Sequence, residues 1–193
     1  MTLLLLGLNG SPRRQGNTET LLAEALQGAE EQGANVLQFN LAFMEIAPCE
    51  ACEECFTDGD CIVLDEMCRL YDVLEQADAV IVASPIYFSG MSAQTKMAVD
   101  RCQALWARRN LLKIPRRPGI GAVILTAAQP QAKFENALSE LRAFMIGIGI
   151  RPVSALTVPG LDERGSAKER PDTLSSARSL GKELVKTFTS AGP

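Results

Sequence analysis

The hydrophobic positions of the chain alternate between two kinds of pattern. Short apolar runs, such as those within residues 3–8 and 79–83, are typical of strands buried on both faces of a parallel sheet. Between the runs, apolar residues recur every three or four positions, as at Leu138, Leu141 and Met145, which is typical of one face of a helix. The predicted strands are 3–8, 35–40, 79–83, 121–126 and 153–158.

The helical patterns lie between and after these strands. Residues 41–65 follow neither pattern and are rich in cysteine. The segment 159–171 contains two prolines and two glycines and is predicted to be a mobile loop. The predicted helices are 18–31, 67–74, 92–107, 134–145 and 174–188.

The alternation of strands and helices predicts an α/β fold with a parallel sheet covered by helices on both faces. Right-handed crossovers and five strands favour a flavodoxin-like, doubly wound sheet of order 2-1-3-4-5, with a cysteine-rich insertion at 45–66 after strand 2. The length of 193 residues suits a single domain over 1–193. Ligands of such sheets lie at the carboxyl ends of the strands, so we expect the loops 9–18, 84–92 and 126–132 to form a site.

Composition removes several classes of function. The chain has no histidine, which excludes Ser-His-Asp and Cys-His catalysis as well as histidine metal ligands. A formal net charge of −4 argues against nucleic-acid binding. No apolar run reaches the roughly 18 residues that span a membrane, and the apolar N-terminal segment lacks the basic residues of a signal peptide. We therefore expect a cytoplasmic protein with neither a nucleic-acid nor a membrane partner.

Charged residues are unevenly distributed along the chain. Residues 15–68 contain twelve acidic residues and no Lys or Arg, whereas residues 96–117 contain seven basic residues and one acid, Asp100. Two solvated faces would explain this distribution. The alternative is a docking surface, either for another subunit or for a redox partner.

The loop after strand 1 has the composition of a phosphate-binding loop. The N-terminus of the helix that follows offers unpaired N–H groups and about half a positive charge, and Arg13 adds a fork of donors suited to phosphate oxygens. The loop has neither the Gly-Lys-Ser/Thr ending of a Walker loop nor the Gly-x-Gly-x-x-Gly pattern of a dinucleotide site. An ordinary βα loop with a helix cap remains the alternative. The loop reads Gly10-Ser11-Pro12-Arg13-Arg14-Gln15-Gly16-Asn17-Thr18.

The loop after strand 3 is apolar and aromatic, which is unusual at the carboxyl end of a strand unless the loop covers a flat ligand. Tyr87 and Phe88 could pack beside an isoalloxazine ring, with backbone N–H groups bonding its polar edge. Alternatively, both are ordinary core residues. The loop reads Ser84-Pro85-Ile86-Tyr87-Phe88-Ser89-Gly90-Met91.

Four of the six cysteines form the compact motif Cys49-x2-Cys52-x2-Cys55-x5-Cys61. In a cytosolic protein such crowding favours metal binding over a disulfide framework. The Cys-x2-Cys-x2-Cys spacing is typical of cubane iron–sulfur ligation, although zinc and free or oxidised thiols remain alternatives. Cys68 and Cys102 lie on predicted helices and are expected to be small core residues.

The two loops, together with the Asp100-Arg101 pair in the following helix, resemble the flavodoxin-like FMN-binding reductases. The cysteine motif, placed between strand 2 and the next helix, resembles the iron–sulfur flavoproteins. The resemblance implies an FMN and a [4Fe–4S] cluster, with the chemistry carried by these cofactors and no catalytic side chain. It implies phosphate contacts from Ser11, Arg13, Gln15, Gly16, Asn17 and Thr18, ring contacts from Pro85, Ile86, Tyr87, Phe88, Ser89, Gly90 and Ala127, and the cluster ligands Cys49, Cys52, Cys55 and Cys61.

The resemblance further implies an oxidoreductase that passes electrons between FMN and the cluster, with NAD(P)H or a redox protein such as ferredoxin as donor. A homodimer or homotetramer is expected, in which the acidic residues 45–66 could face the basic residues 96–117 of a neighbour. The eight acidic residues of 45–66 predict a low cluster potential, and the cluster can be lost on handling in air. The alternatives are a clusterless NAD(P)H-dependent FMN or quinone reductase and a non-catalytic thiol or metal sensor.

Overall fold

The sheet places the predicted loops side by side. A computed structural model of the chain describes residues 2–191. The predicted domain 1–193 also includes Met1, Gly192 and Pro193, which lie outside the described residues. The extent of the domain therefore stays a prediction. The strands are β1 (Leu4–Asn9), β2 (Asn35–Asn40), β3 (Ala79–Tyr87), β4 (Gly90–Met91), β5 (Gly119–Thr126) and β6 (Ile150–Val158).

The five long strands are parallel and follow the order β2-β1-β3-β5-β6, which is the order predicted. Asn9 pairs with Ala83 and Pro85 with Thr126, so β1, β3 and β5 end at one edge of the sheet. The loops that follow these three strands therefore meet at that edge.

Helices cover both faces of the sheet. One face carries a core of Leu6, Leu8 and Val82 beneath the helices between residues 67 and 147. The other face carries Leu5, Ile81 and Ile124 beneath the first and last helices of the chain. None of the helices within 2–191 is long and apolar enough to cross a membrane. The helices are α1 (Asn17–Glu30), α2 (Cys55–Asp58), α3 (Met67–Gln76), α4 (Ala93–Arg101), α5 (Gln103–Asn110), α6 (Glu135–Gly147) and α7 (Pro171–Ala191), with short 3-10 helices at Leu41–Phe43 and Ser166–Glu169.

The position of α1, which begins at the predicted phosphate loop, is set by its close packing against α7. A β-carbon on Gly28 would lie 2.1 Å from the Arg178 carbonyl oxygen, and one on Gly181 would lie 1.8 Å from that of Ala25. Only glycine permits this approach of the two helix backbones. Arg178 also pairs with Glu24 at 2.6 Å across the same interface.

The structure divides one predicted helix and corrects three predicted strand boundaries. The predicted helix 92–107 is two helices, because the backbone turns at Cys102, whose amide donates to the carbonyls of both Ala98 and Val99. Strand 3 continues to Tyr87, since Pro85 still pairs with β5, and then turns back into the unpredicted β4. The predicted strands 121–126 and 153–158 correspond to β5 and β6, which begin earlier, at Gly119 and Ile150.

The predicted mobile loop 159–171 is held by hydrogen bonds. It contains the 3-10 helix Ser166–Glu169. The Arg170 guanidinium donates to the Pro159 and Gly160 carbonyls, and that of Arg164 donates to the Arg14 carbonyl. These bonds join the segment to itself and to the loop after β1.

Candidate functional site

A cavity of about 120 Å³ lies at the carboxyl edge of the sheet, where the loops after β1, β3 and β5 meet. Eight of the residues implied for FMN line it, and Thr126, Ala128 and Leu161 complete the lining. Gln15, Gly16, Phe88, Ser89 and Gly90 do not line it. The eight are Ser11, Arg13, Asn17, Thr18, Pro85, Ile86, Tyr87 and Ala127.

The N-terminus of α1 forms the bottom of this cavity and is built to receive an anion. The N-cap residue, Gly16, provides no side-chain cap, and the N–H groups of Asn17, Thr18 and Glu19 have no partner within the described chain. A β-carbon on Gly16 would lie 2.9 Å from the Arg13 carbonyl oxygen, so the tight turn excludes larger residues. Free N–H groups and the helix dipole suit a phosphate at this position.

The Asn17 side chain has a different role from the one implied by the resemblance. Its amide nitrogen donates to the Leu161 carbonyl at 3.2 Å and the Glu163 carbonyl at 2.8 Å. Its oxygen accepts from the Ala167 N–H at 3.0 Å. The side chain therefore fastens the segment after β6 over the start of α1, and its backbone N–H is the group left for an anion.

Three hydrogen bonds that involve side-chain hydroxyl groups fix the loops around the cavity. The Thr18 and Thr126 hydroxyls are 2.7 Å apart and join α1 to the end of β5. The Ser92 hydroxyl donates to the Gly10 carbonyl at 2.6 Å and joins α4 to the loop after β1. The Ser11 hydroxyl accepts from the Arg13 N–H at 3.2 Å and so shapes the loop itself.

The aromatic segment is a hairpin that projects from the sheet rather than part of the core. Phe88 is fully exposed and Tyr87 is 42% exposed, which excludes the core interpretation of this segment. Phe88 and Ser89 form its two-residue turn with φ of 49° and 66°. Such turns favour Asn and Gly, and strained backbone of this kind collects at functional sites. Tyr87 lines the cavity while Phe88 stands outside it.

A second and larger cavity, of about 380 Å³, lies beside the cysteine motif. Its lining includes all four cysteines of the motif, Cys49, Cys52, Cys55 and Cys61. The end of α4 and the start of α5 form its floor. No three carboxylate or thiol side chains among residues 2–191 converge closely enough to hold a single metal ion. The four thiols thus surround a common space instead of a point.

The backbone of the cysteine loop offers a row of unused donors. The N–H groups of residues 49–55 donate to no group of the described chain. Ala51 and Glu53 adopt φ of 54° and 63°, which curls the loop around the cavity. Hydrogen bonds from the protein to cluster sulfurs are a normal feature of iron–sulfur sites, so four thiols with free N–H groups fit a cluster.

The four thiols lie within electrostatic range of one another. Burial raises the pKa of the Cys55 thiol, and the charges of Cys61, Cys49 and Cys52 raise it further. A bound cation reverses this effect, because coordination deprotonates thiols. Cys102 is buried in the core as expected, whereas Cys68 is only half-buried.

A buried arginine closes the cysteine loop at both ends. The Arg101 side chain is 1% exposed, and its guanidinium donates to the Ala47 carbonyl at 2.9 Å and the Val63 carbonyl at 3.0 Å. Both of its terminal nitrogens also bond the Asp65 carboxylate, at 2.6 and 3.2 Å. The Tyr71 hydroxyl donates to the Arg101 carbonyl at 2.7 Å.

The two oppositely charged segments also contact each other within one chain. The acidic segment 45–66 meets the basic segment 96–117 within one chain, through the Arg101–Asp65 and Arg108–Asp60 pairs. The residues missed by sequence reasoning are those of this contact and Leu161 at the first cavity. The opposite charges of the two segments were the one available signal, and nothing in the sequence marks Leu161.

The chain was compared with known proteins. The family described as NADPH-dependent FMN reductase matches residues 3–158. An iron–sulfur flavoprotein of Methanocaldococcus jannaschii is 31% identical over 188 residues, which are 94% of this chain and 95% of the relative. An NAD(P)H dehydrogenase (quinone) of Archaeoglobus fulgidus is 31% identical over 184 residues, or 88% and 90%. The solved structure of an NAD(P)H:quinone oxidoreductase from Methanothermobacter marburgensis has a TM-score of 0.70 at 18% identity, covering 95% of this chain and 96% of that one.

The Asn17 contacts predict a loss of stability in the chain without any ligand. We expect Asn17→Ala to lower the free energy of unfolding by about 1–3 kcal/mol, since it leaves buried carbonyl and N–H groups unpaired. Urea unfolding of FMN-free protein measures this. The control is Gln131→Ala, which removes an exposed amide without side-chain partners in the described chain. An Asn17→Ala chain as stable as the control would contradict the fastening role.

The Asp65 contacts predict a dependence of stability on acid pH. Burial alone would raise the pKa of the Asp65 carboxyl, but hydrogen bonds from Arg101 and from the Ala47 and Met67 N–H groups hold the pKa below its ordinary value. A group with a lowered folded pKa stabilises the fold above its unfolded pKa, and this contribution is lost as the pH falls through the folded value. Urea midpoints measured from pH 6 to 3 should therefore fall more steeply, below about pH 4, in wild type than in Asp65→Asn. Parallel profiles would contradict this.

Proposed function

The chain belongs to the iron–sulfur flavoprotein family of the NADPH-dependent FMN reductase superfamily, and on this premise we propose that it passes electrons between FMN and a [4Fe–4S] cluster. It is a flavin-dependent oxidoreductase. The proposed ligands are Cys49, Cys52, Cys55 and Cys61. The observation that carries the cluster is that all four line one cavity beside a loop of unpaired N–H groups.

The chain's own residues account for the binding of FMN at the first cavity. The N-terminus of α1 would hold the phosphate through its backbone N–H groups, with Arg13 and the hydroxyls of Ser11 and Thr18 beside it. Tyr87 and the strained turn at Phe88 and Ser89 would cover the ring. When bound, FMN exchanges electrons singly or in pairs and the cluster exchanges them singly. The titratable side chains in the cavity lining are Arg13 and Tyr87, so the lining offers no carboxylate for acid–base work.

Helix α4 relates the two cavities within one chain. Its N-cap, Ser92, is bonded to the loop after β1, and its last residue, Arg101, lines the cysteine cavity. The nine residues of α4 span about 14 Å at 1.5 Å per residue. The two proposed cofactor sites thus lie towards opposite ends of α4. We propose NAD(P)H or a redox protein such as ferredoxin as the electron donor.

A second candidate function is a clusterless NAD(P)H-dependent FMN or quinone reductase. One observation favours it: the NAD(P)H dehydrogenase (quinone) of Archaeoglobus fulgidus has the same 31% identity to this chain as the iron–sulfur relative, over 184 residues against 188. The iron content of the protein separates the two functions.

The cluster assignment predicts the iron content of the full chain after anaerobic reconstitution with iron and sulfide. We expect about four irons per wild-type chain and a severalfold lower content in Cys52→Ser, because one ligand is missing. Cys68→Ser makes the same change at a half-buried cysteine that does not line the cavity and should keep the wild-type content. Flavin without iron in wild type would establish the second candidate.

The phosphate assignment predicts a selective loss of FMN affinity in an arginine variant. We expect Arg13→Ala to weaken FMN binding about tenfold or more, since a charge-assisted hydrogen bond contributes about 1.5–3 kcal/mol. Riboflavin, which lacks the phosphate, should bind both proteins alike. The control is Arg14→Ala, since the Arg14 guanidinium lies 3.9 Å from the centre of the Phe43 ring and outside the cavity. Fluorescence titration of the apoprotein measures the affinities, and equal losses for the two ligands would contradict the assignment.

A further inference from the structure

Arg101 has one hydrogen-bond donor left over after it closes the cysteine loop. Its two terminal nitrogens make four bonds, to the Ala47 and Val63 carbonyls and to both oxygens of Asp65. The fifth N–H, on Nε, is buried and has no partner within residues 2–191. Arg101 is also one of the residues that line the cysteine cavity.

The buried Nε is closed off by the surrounding protein, so the contribution of Arg101 at this place is its charge and its four other bonds. Those four bonds, to Asp65 and to the two ends of the cysteine loop, fix the guanidinium in position. The positive charge of Arg101 is therefore held at the wall of the cysteine cavity.

The positive charge of Arg101 distinguishes it from the other residues that line the cysteine cavity. Among the described residues that line the cavity, Arg101 is the sole cation, beside the carboxylates of Glu50, Glu53 and Asp100. Negative charge near a cluster disfavours the uptake of an electron, and a buried positive charge or a hydrogen bond to sulfur favours it. The guanidinium thus opposes the effect of the acidic loop.

We propose that Arg101 is a positioning residue for the cluster, which it serves through its contacts with both ends of the loop and through its buried positive charge. This charge raises the reduction potential above the value that the acidic loop alone would set. The inference rests on the proposed cluster. The step concerned is the gain of one electron by the cluster, and Arg101 keeps its proton throughout.

Two variants of one ion pair separate this role from a purely structural one. Arg101→Gln removes a positive charge and Asp65→Asn removes a negative charge, and both break the same contact. If the contact only supports the loop, both variants lose iron and neither shifts the potential in a charge-dependent direction. If Arg101 acts on the cluster, the two potentials move in opposite directions.

The experiment is a dithionite titration of anaerobically reconstituted full-length protein, followed by electron paramagnetic resonance, after iron has been counted per chain. In each titration dithionite is oxidised and the cluster gains one electron. We expect Arg101→Gln to lower the reduction equilibrium constant about tenfold, which is about 59 mV for one electron, and Asp65→Asn to raise it. Arg101→Lys keeps the charge and should keep a near-wild-type potential while losing iron faster. The matched control is Arg142→Gln on exposed α6, which should leave the potential unchanged because solvent screens the charge.

Each outcome decides between the inference and the function on which it rests. Wild type without iron overturns the proposed function and the inference with it. If wild type binds iron but the two variants keep its potential, or both shift the potential in the same direction, the inference is overturned and the proposed function stands. If Arg101→Gln does not fold, the other two variants decide. A raised potential in Asp65→Asn together with a wild-type potential in Arg101→Lys supports the inference. Equal potentials in wild type, Asp65→Asn and Arg101→Lys overturn it.

Discussion

The architecture of the cysteine site depends on the buried ion pair between Arg101 and Asp65. One guanidinium holds carbonyl groups at both ends of a long irregular loop and the carboxylate that follows it. Removing one partner of such a buried pair costs about 3–5 kcal/mol, because the other charge is left without compensation. A loop whose one regular element is the four-residue α2, with Ala51 and Glu53 at positive φ, thereby has defined ends. The cysteines lie between those ends, at Cys49 to Cys61.

The parallel sheet positions the loops of the first cavity, as Arg101 positions the loop of the second. Strands that end at one edge bring the phosphate loop, the aromatic hairpin and Ala127 together without any contact specific to a ligand. The close approach of α7 to α1 and the Asn17 contacts then set where α1 begins. Helix α4 ends at the cysteine cavity after starting beside the phosphate loop. One helix therefore connects the loop after β1 with the wall of the cysteine cavity.

The central strands could be predicted because burial on both faces leaves continuous apolar runs, as in residues 79–83, and their order because crossovers between parallel strands are right-handed. The turn at Cys102 could not, since the residues on both sides favour helix equally. The hairpin needs positive φ at Phe88 and Ser89, residue types that rarely adopt it. Similarly, the cysteine spacing indicates which residues share a site, but the contacts of Asn17 and Arg101 join positions 36 to 150 residues apart, for which one sequence carries no signal.

We propose that the loop held by Arg101 carries a four-iron cluster in the same chain that binds FMN. A Mössbauer spectrum of wild-type protein, reconstituted anaerobically with 57Fe and carrying FMN, distinguishes such a cluster from other bound iron. We expect the spectrum of a cubane cluster for nearly all of the iron, with flavin and cluster bound in equal amounts. A spectrum of isolated iron ions, or protein that binds flavin and retains no iron, would rule the cluster out.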